Sequence, residues 1–275
     1  MISVPGKTKL SDHLFAYAFG RILAQRFNYA LRAAPMINLP GTAARVDGQE
    51  YLNTTRRWVG HWPMEESTGR ALEKGELFVA PGYPVSLIGG FQRFELFADH
   101  REEIRNDWFA VPNRWNQRSA EELVICLDSS VEFGESAFEK MEARSMAREA
   151  VEECVRLART VPHRTLHVLY HGERDSIPAE VAALKPEVMV PESHWDELQF
   201  LASFQKIAIR QDALQWWGAF LGAAREIHFP KTKRGPWSQP NRARLAHESW
   251  WYGIDLKVLD DPRYIYATED SAVAA

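Results

Sequence analysis

Several stretches of the chain bring together residue types fit for acid–base or anion chemistry. Near the N-terminus, Ser11-Asp12-His13 follows the turn-rich Pro5-Gly6-Lys7-Thr8-Lys9. A carboxylate beside an imidazole raises its basicity, so Asp12 and His13 together can draw a proton from a hydroxyl. Ser11 or Asp12 can equally cap the helix that follows. Further on, Arg210-Gln211-Asp212 stands between the apolar run Lys206 to Ile209 and the helix-spaced Leu214, Trp217, Phe220, Leu221 and Ala224. A strand, a polar turn and a helix start bring an anion to backbone N–H groups and the helix dipole. In that turn Asp212 is the expected N-cap, and Arg210 is either a cation for the ligand or a surface ion-pair partner. Asp128-Ser129 follows the strand-like Leu123 to Leu127, and His171-Gly172-Glu173 follows Leu166 to Tyr170. Residues at such strand ends either meet a ligand or are simply polar turns. If Asp128 and Asp212 converge, they can share Mg²⁺ with phosphate oxygens. Otherwise no metal site is expected. Lys231, Lys233 and Arg234 reach a phosphate or form a solvated loop.

Composition narrows the classes. The chain has 275 residues and a formal net charge of −4, so it can bury one sizeable core or two, and no basic excess points to nucleic acid. Cys126 and Cys154 are the only cysteines, too few for a zinc site of their own or a disulfide framework. The opening residues show no apolar signal-peptide core, and no apolar run is long enough to span a bilayer. The expectation is a cytoplasmic protein, with peripheral attachment to a membrane as the second option. Gly6-Lys7-Thr8 lacks the earlier glycine of a Walker A loop.

The elements that must position these groups follow from periodicity. Met1 to Val4 reads as a strand, then Leu14, Phe15, Ala18, Phe19, Ile22, Leu23 and Phe27 mark a helix. Strands are expected within Tyr29 to Leu39 and at Leu77 to Ala80, with 41–76 irregular and a helix running through Ile104. A polar linker at Pro112 to Arg118 divides the chain into domains 1–116 and 117–267, with 268–275 a flexible tail. Beyond it, strands at Leu123 to Leu127, Leu166 to Tyr170, Val188 to Val190, Lys206 to Ile209 and Ile227 to Phe229 alternate with helices. The helices cover 136–159, Trp195 to Phe204 and the run after Asp212, in which Gly222 sits at some cost.

Trp216-Trp217-Gly218-Ala219 resembles the S-x-F-S-W-W-G-A-x-L segment of α-1,2-fucosyltransferases, GT-B enzymes that use GDP-sugars. Lys9 to Gly20 resembles the family's opening G-x-L-G-N-Q-x-F-x-Y-A-x-G. Leu87 to Phe97 resembles its G-Y-F-Q-x-x-x-Y-F segment, and Lys231 to Trp237 its P-x-x-W. The resemblance covers nearly the whole chain in order. It departs where Ser11, Asp12 and His13 replace the family's glycine, asparagine and glutamine. It departs again where Asp128 replaces the arginine that grips the donor phosphates, and where Asp212 replaces a serine. Either other cations compensate, or a metal bridges the carboxylates, or catalysis has been lost.

What the resemblance implies is an α/β fold, GT-B-like, with two Rossmann-like domains facing a central cleft. The implied activity is transfer of a sugar, fucose or another deoxysugar, from a nucleotide-sugar donor to a glycan, glycolipid or small-molecule hydroxyl acceptor, with inversion. His13, Asp12 and Asp128 are the implied catalytic groups. Ser11, Ser129, His171, Glu173, Arg210, Gln211, Asp212 and Trp216 would bind the donor, and Gln92 and Arg93 the acceptor. No cofactor beyond the GDP-sugar or another nucleotide-sugar is expected. The alternative is a catalytically inactive relative that binds a sugar or a partner enzyme.

Overall fold

The computed structural model describes residues 2–4, 10–28, 30–33, 62–64, 85–87, 97–109, 115–128, 137–210, 212–229 and 263–266. The chain divides into two compact units, Met1–Pro112 with Gly253–Asp260 and Asn113–Tyr252 with Asp261–Ala275.

In the first unit, β1 (Ile2–Val4), β2 (Leu31–Ala33), β3 (Trp62–Met64) and β4 (Val85–Leu87) form a parallel sheet of order β2-β1-β4-β3. Helix α1 (Leu10–Phe27) links β1 to β2. His13 to Gly20 are buried without interruption, so this part of α1 is covered on every face,. Gly20 lets it approach the sheet, because a Cβ there would lie 2.6 Å from Val4 Cγ2. The helical stretch α2 (98–108) opens as a tight 3-10 turn and closes as a π turn. Glu103 on α2 accepts from Gln25 Nε2 at 2.8 Å and from Trp108 Nε1 at 3.2 Å. The Arg21 guanidinium lies 4.8 Å over the Trp108 ring. Polar contacts therefore tie α1 to α2 at one end and the tilted Phe15–Phe97 and Tyr17–Phe109 rings at the other. The strand at Trp62–Met64 lies inside a stretch read as irregular, whereas the strand expected at Leu77 to Ala80 falls outside the described residues.

The second unit is built on β5 (Glu122–Asp128), β6 (Thr165–His171), β7 (Glu187–Met189), β8 (Lys206–Ala208), β9 (Glu226–Phe229) and β10 (Tyr264–Tyr266). All pairings are parallel, and the order is β10-β9-β8-β5-β6-β7. From β5 the strands are added outward to β7 on one side, then from β8 to β10 on the other. That is the order of doubly wound nucleotide-binding sheets. Strand alternation sorts the two faces. Leu123, Ile125, Leu127, Leu166, Val168 and Tyr170 pack with Cys154 and Leu157 of α3 (Ala137–Thr160). Val151 and Val155 flank this cluster as the helical spacing predicts, while the side chains of Met141 and Met146 lie outside the described residues.

On the opposite face, His167 meets the rings of Phe200 and Phe204 edge-on, at 6.4 and 4.9 Å. Phe200 belongs to α5 (His194–Ala202), which packs on α6 (Ala213–Leu221). A short α4 (Ala179–Ala182) leads into β7. The approach of α5 to α6 depends on missing side chains: a Cβ at Gly218 would sit 2.7 Å from Leu201 Cβ, and one at Gly222 2.5 Å from the Ala202 backbone. Gly222 is the cap that ends α6, not a residue within it.

Candidate functional site

Ligands of a doubly wound sheet bind outside the carboxyl ends of the strands, where the order of addition reverses. Here that point lies between β5 and β8. β5 ends at Asp128, whose backbone is in register with His171 at the end of β6. β8 runs into Ile209 and Arg210, and α6 starts after Asp212. The expected Arg210, Asp212 and His171, together with the backbone of Asp128, thus lie at the carboxyl edge of one sheet.

The turn before α6 is already occupied by the protein's own groups. Asp212 Oδ1 accepts from the backbone N–H of Leu214 at 2.7 Å and of Gln215 at 3.0 Å, and the Asp212 carbonyl accepts from Trp216 N–H at 3.1 Å. Gln215 Oε1 accepts from Arg210 N–H at 2.8 Å. Asp212 is therefore the N-cap, as its position predicts. The N–H groups of Leu214 and Gln215, which could otherwise meet a phosphate, point at this carboxylate,. The Arg210 side chain is half-buried and is the cation of this edge.

Trp216, expected at the donor, is 2% exposed. Its ring stacks on Phe220 with centroids 4.8 Å apart and meets Trp217 edge-on at 5.1 Å. All nine residues of α6 are buried. The Trp-Trp-Gly-Ala motif therefore works as packing: the rings fill the core and Gly218 admits Leu201. Glu173 is exposed, and its carbonyl accepts from the Ser176 N–H and hydroxyl in a tight turn.

His171 has a partner that the sequence did not reveal. Its Nε2 lies 3.1 Å from Glu197 Oε2, and the Glu197 side chain is only 3% exposed against 27% for His171. Glu197 sits in the first turn of α5, which Ser193 caps by accepting from Asp196 N–H. Asp196 Oδ2 in turn accepts from Glu192 N–H at 3.2 Å, so this turn is fixed from both sides,. Ser193-x-x-Asp196 is a legible capping signal, and Glu197 follows it directly. Nothing in the spacing shows that Glu197 turns inward. Behind this edge, burial pushes the Cys126 thiol well up, helped by the charges of Glu197 and Asp212 and opposed by Arg210. Cys126 is thus a neutral side chain whose surroundings are set by the same charged groups.

In the first unit, Ser11, Asp12 and His13 lie in the first turn of α1, not in the loop before it. Ser11 is 9% exposed and His13 5%. This corrects the expected loop placement of all three. The helix begins at Leu10, so the polar triplet is drawn into its first turn. Gln92, Arg93, Ser129 and Gln211 lie outside the described residues, as do Lys231, Lys233 and Arg234. The Asp128 side chain lies outside them as well, so its convergence with Asp212 stays an expectation. No cluster of His, Cys, Asp or Glu suited to a metal ion exists among the described residues, and no described helix is long and apolar enough to cross a membrane.

At the amino end of the same sheet, His167 is buried with Nε2 2.9 Å from Glu122 and Nδ1 3.3 Å from Glu187. Burial holds its pKa below the ordinary value against the pull of these carboxylates. Burial works to raise the Glu122 carboxyl, but the Ser119 N–H, His167 and Arg118 hold it low. This cluster joins β5, β6 and β7 and lies at the opposite strand ends from the candidate site. No family model, curated protein or solved structure matches the chain.

Proposed function

We propose that the chain is a glycosyltransferase, moving a sugar from a nucleotide-sugar donor to a hydroxyl acceptor with inversion, on a fold of GT-B type related to the α-1,2-fucosyltransferases. The observation that carries this reading is the carboxyl edge of the second sheet. Its strand order is one that binds nucleotides, and it gathers a cation, Arg210, with an imidazole–carboxylate pair, His171 and Glu197,. Transfer needs these elements: positive charge toward the leaving diphosphate and a base toward the acceptor. The ordered segments shared with the family, from Lys9-to-Gly20 through Trp216-to-Ala219, support it independently. Fucose or another deoxysugar as the transferred group, and a glycan or glycolipid as acceptor, belong to the same proposal.

A second reading, an inactive relative that binds a sugar or a partner enzyme, is favoured by one observation. The helix N-terminus at the switch point is closed by Asp212 rather than left open to phosphate. A thermal-shift panel decides between them, using GDP, UDP, dTDP, CMP and ADP with and without Mg²⁺ or Mn²⁺. A bound nucleotide at about 100 times its dissociation constant stabilises the fold by roughly 2.7 kcal/mol. The transferase reading expects such a shift for one nucleotide. No shift with any of them puts the binding-protein reading first.

A further inference from the structure

We infer that His167 and its two flanking glutamates form a pH-sensitive latch at the amino end of the second sheet, in which proton uptake by the ring bonds it to Glu187 and fastens the outermost strand β7. The inference does not depend on the transferase reading. The ring is 2% exposed, with Nε2 2.9 Å from Glu122 Oε2 and Nδ1 3.3 Å from Glu187 Oε2. The two carboxylates are held unequally. Glu122 Oε2 also lies 3.3 Å from Arg118 Nη1, and Glu122 Oε1 accepts from the Ser119 N–H at 3.0 Å. Glu187 stands mostly in water, with a side chain 67% exposed.

A neutral imidazole has one N–H and one lone pair, so it cannot serve two carboxylates. Glu122, fixed by Arg118 and Ser119, takes the N–H on Nε2. The lone pair on Nδ1 then faces the Glu187 carboxylate and repels it. A proton on Nδ1 turns that repulsion into a charge-assisted hydrogen bond. The charged groups that face the ring are Glu122 of β5, Glu187 of β7 and Arg118 from the stretch before β5. From the helix side it meets only the edge-on rings of Phe200 and Phe204. His167 and Glu187 are register partners in a ladder of three pairs, which joins β7 to β6 alone among the described strands. An end strand held so briefly opens locally before the sheet centre does, so one added bond is felt there. Burial still favours the neutral ring. The latch therefore closes at β7 while the fold as a whole loses stability to acid, and a local measurement separates the two.

The test uses the full chain and the variant E187Q, from about pH 8 down to about pH 5, on either side of the ordinary histidine value. ¹⁵N shifts of the His167 ring report its tautomer and charge, and amide exchange reports protection of β7 relative to β6. The expected result is a neutral ring held as Nε2–H. Its protonation should raise the relative protection of β7 about two- to fivefold, the size of one half-exposed ion pair. In E187Q that rise should vanish, because the carboxamide donates to Nδ1 of the neutral ring, and the ring's proton affinity should fall about threefold or more. E187A, which also loses the rise, serves if E187Q does not fold. A neutral ring held as Nδ1–H, protonation without a gain at β7, or a gain kept in E187Q overturns the latch. A ring that stays neutral until the fold is lost overturns it as well.

Discussion

Both units contain the same device, a short strand followed by polar residues and a helix, yet they use it in opposite ways. In the first unit, Ser11, Asp12 and His13 are absorbed into the first turn of α1, and the helix is buried around its circumference from His13 to Gly20. In the second, Asp212 stays outside α6 as its cap, and Arg210 and His171 stay partly exposed at the strand ends. The difference lies in the preceding residue types. Leu10 begins the helix ahead of the polar triplet, so Ser11 and His13 are buried with it. Asp212 is a strong capping residue and stops the helix from running back toward β8. Chemistry is therefore sought at the edge of the second sheet.

Glycines give the largest expected break in this comparison. In the second unit, Gly222→Ala puts a Cβ 2.5 Å from the Ala202 backbone, which cannot yield as a side chain can. A loss of about 3 kcal/mol is expected in denaturant unfolding. In the first unit, Gly20→Ala meets side-chain tips alone, Val4 Cγ2 at 2.6 Å and the Cδ1 atoms of Leu31 and Leu87 at 3.2 Å. It also gains about 1 kcal/mol of helix propensity, so its net cost should be no more than about 1 kcal/mol. Equal losses at both sites would show that the helix–helix contact at Gly222 and the helix–sheet contact at Gly20 tolerate a Cβ alike.

Asp212 sharpens the contrast next. Asp212→Ala removes the N-cap and should cost about 1 kcal/mol, whereas Asp212→Asn keeps an acceptor and should cost a few tenths. Asp212→Ser places there the residue type of the fucosyltransferase segment that this stretch resembles, and frees the turn from a negative charge. Isothermal titration should then show nucleotide diphosphate binding tightened about tenfold, as removing one nearby like charge allows. Unchanged affinity would place the phosphates away from α6.

Acid titration separates the two ends of the second sheet. Burial lowers His167 and His228 below the ordinary value of 6.5. A base with a depressed folded pKa binds more protons unfolded than folded between its two values. Its stabilising effect is present above pH 6.5 and is lost as pH falls through 6.5 toward the folded pKa. Each such histidine contributes a slope of up to about 1.4 kcal/mol per pH unit. His167→Asn should flatten the fall of melting temperature between pH 7 and 5. An unaltered slope would remove His167 from the account. Glu122, held low by its partners, acts in a separate window below 4.5, where stability is lost as pH falls toward its folded pKa,.

The smallest effect concerns the thiols. Burial raises Cys154 to about 12 and Cys126 well above its ordinary range. Neither should react with a thiol reagent in the folded protein at pH 8, and both should react in guanidinium. Native reaction of Cys126 would mean that the edge opens.

Much of the second unit was legible because its central strands are buried, mostly apolar runs between clear breaks. Leu123 to Leu127 and Leu166 to Tyr170 each lie within the observed strand with only flanking residues added. Asp212 was legible as a cap because that role depends on a local hydrogen bond. Glu197 was not, since a glutamate in a first helical turn usually faces water, and only the packing of α5 against the sheet turns it inward. Trp216 reads from the sequence as a core residue, and as a donor contact only because its neighbours resemble a family motif. Its burial follows from Gly218 drawing α5 onto α6, a contact far apart in the chain. The strand at Trp62–Met64 escaped notice because a short edge strand containing Pro63 carries no period-two signal,.

The most direct test of the central claim is amide hydrogen exchange of the full chain with and without the nucleotide diphosphate that shifts its melting most, or GDP if none does. The account predicts slowed exchange at the carboxyl edge of the second sheet, at Asp128, His171 to Glu173 and Ile209 to Gln215. Slowing confined to the first turn of α1, or no slowing at any of these amides, would contradict it.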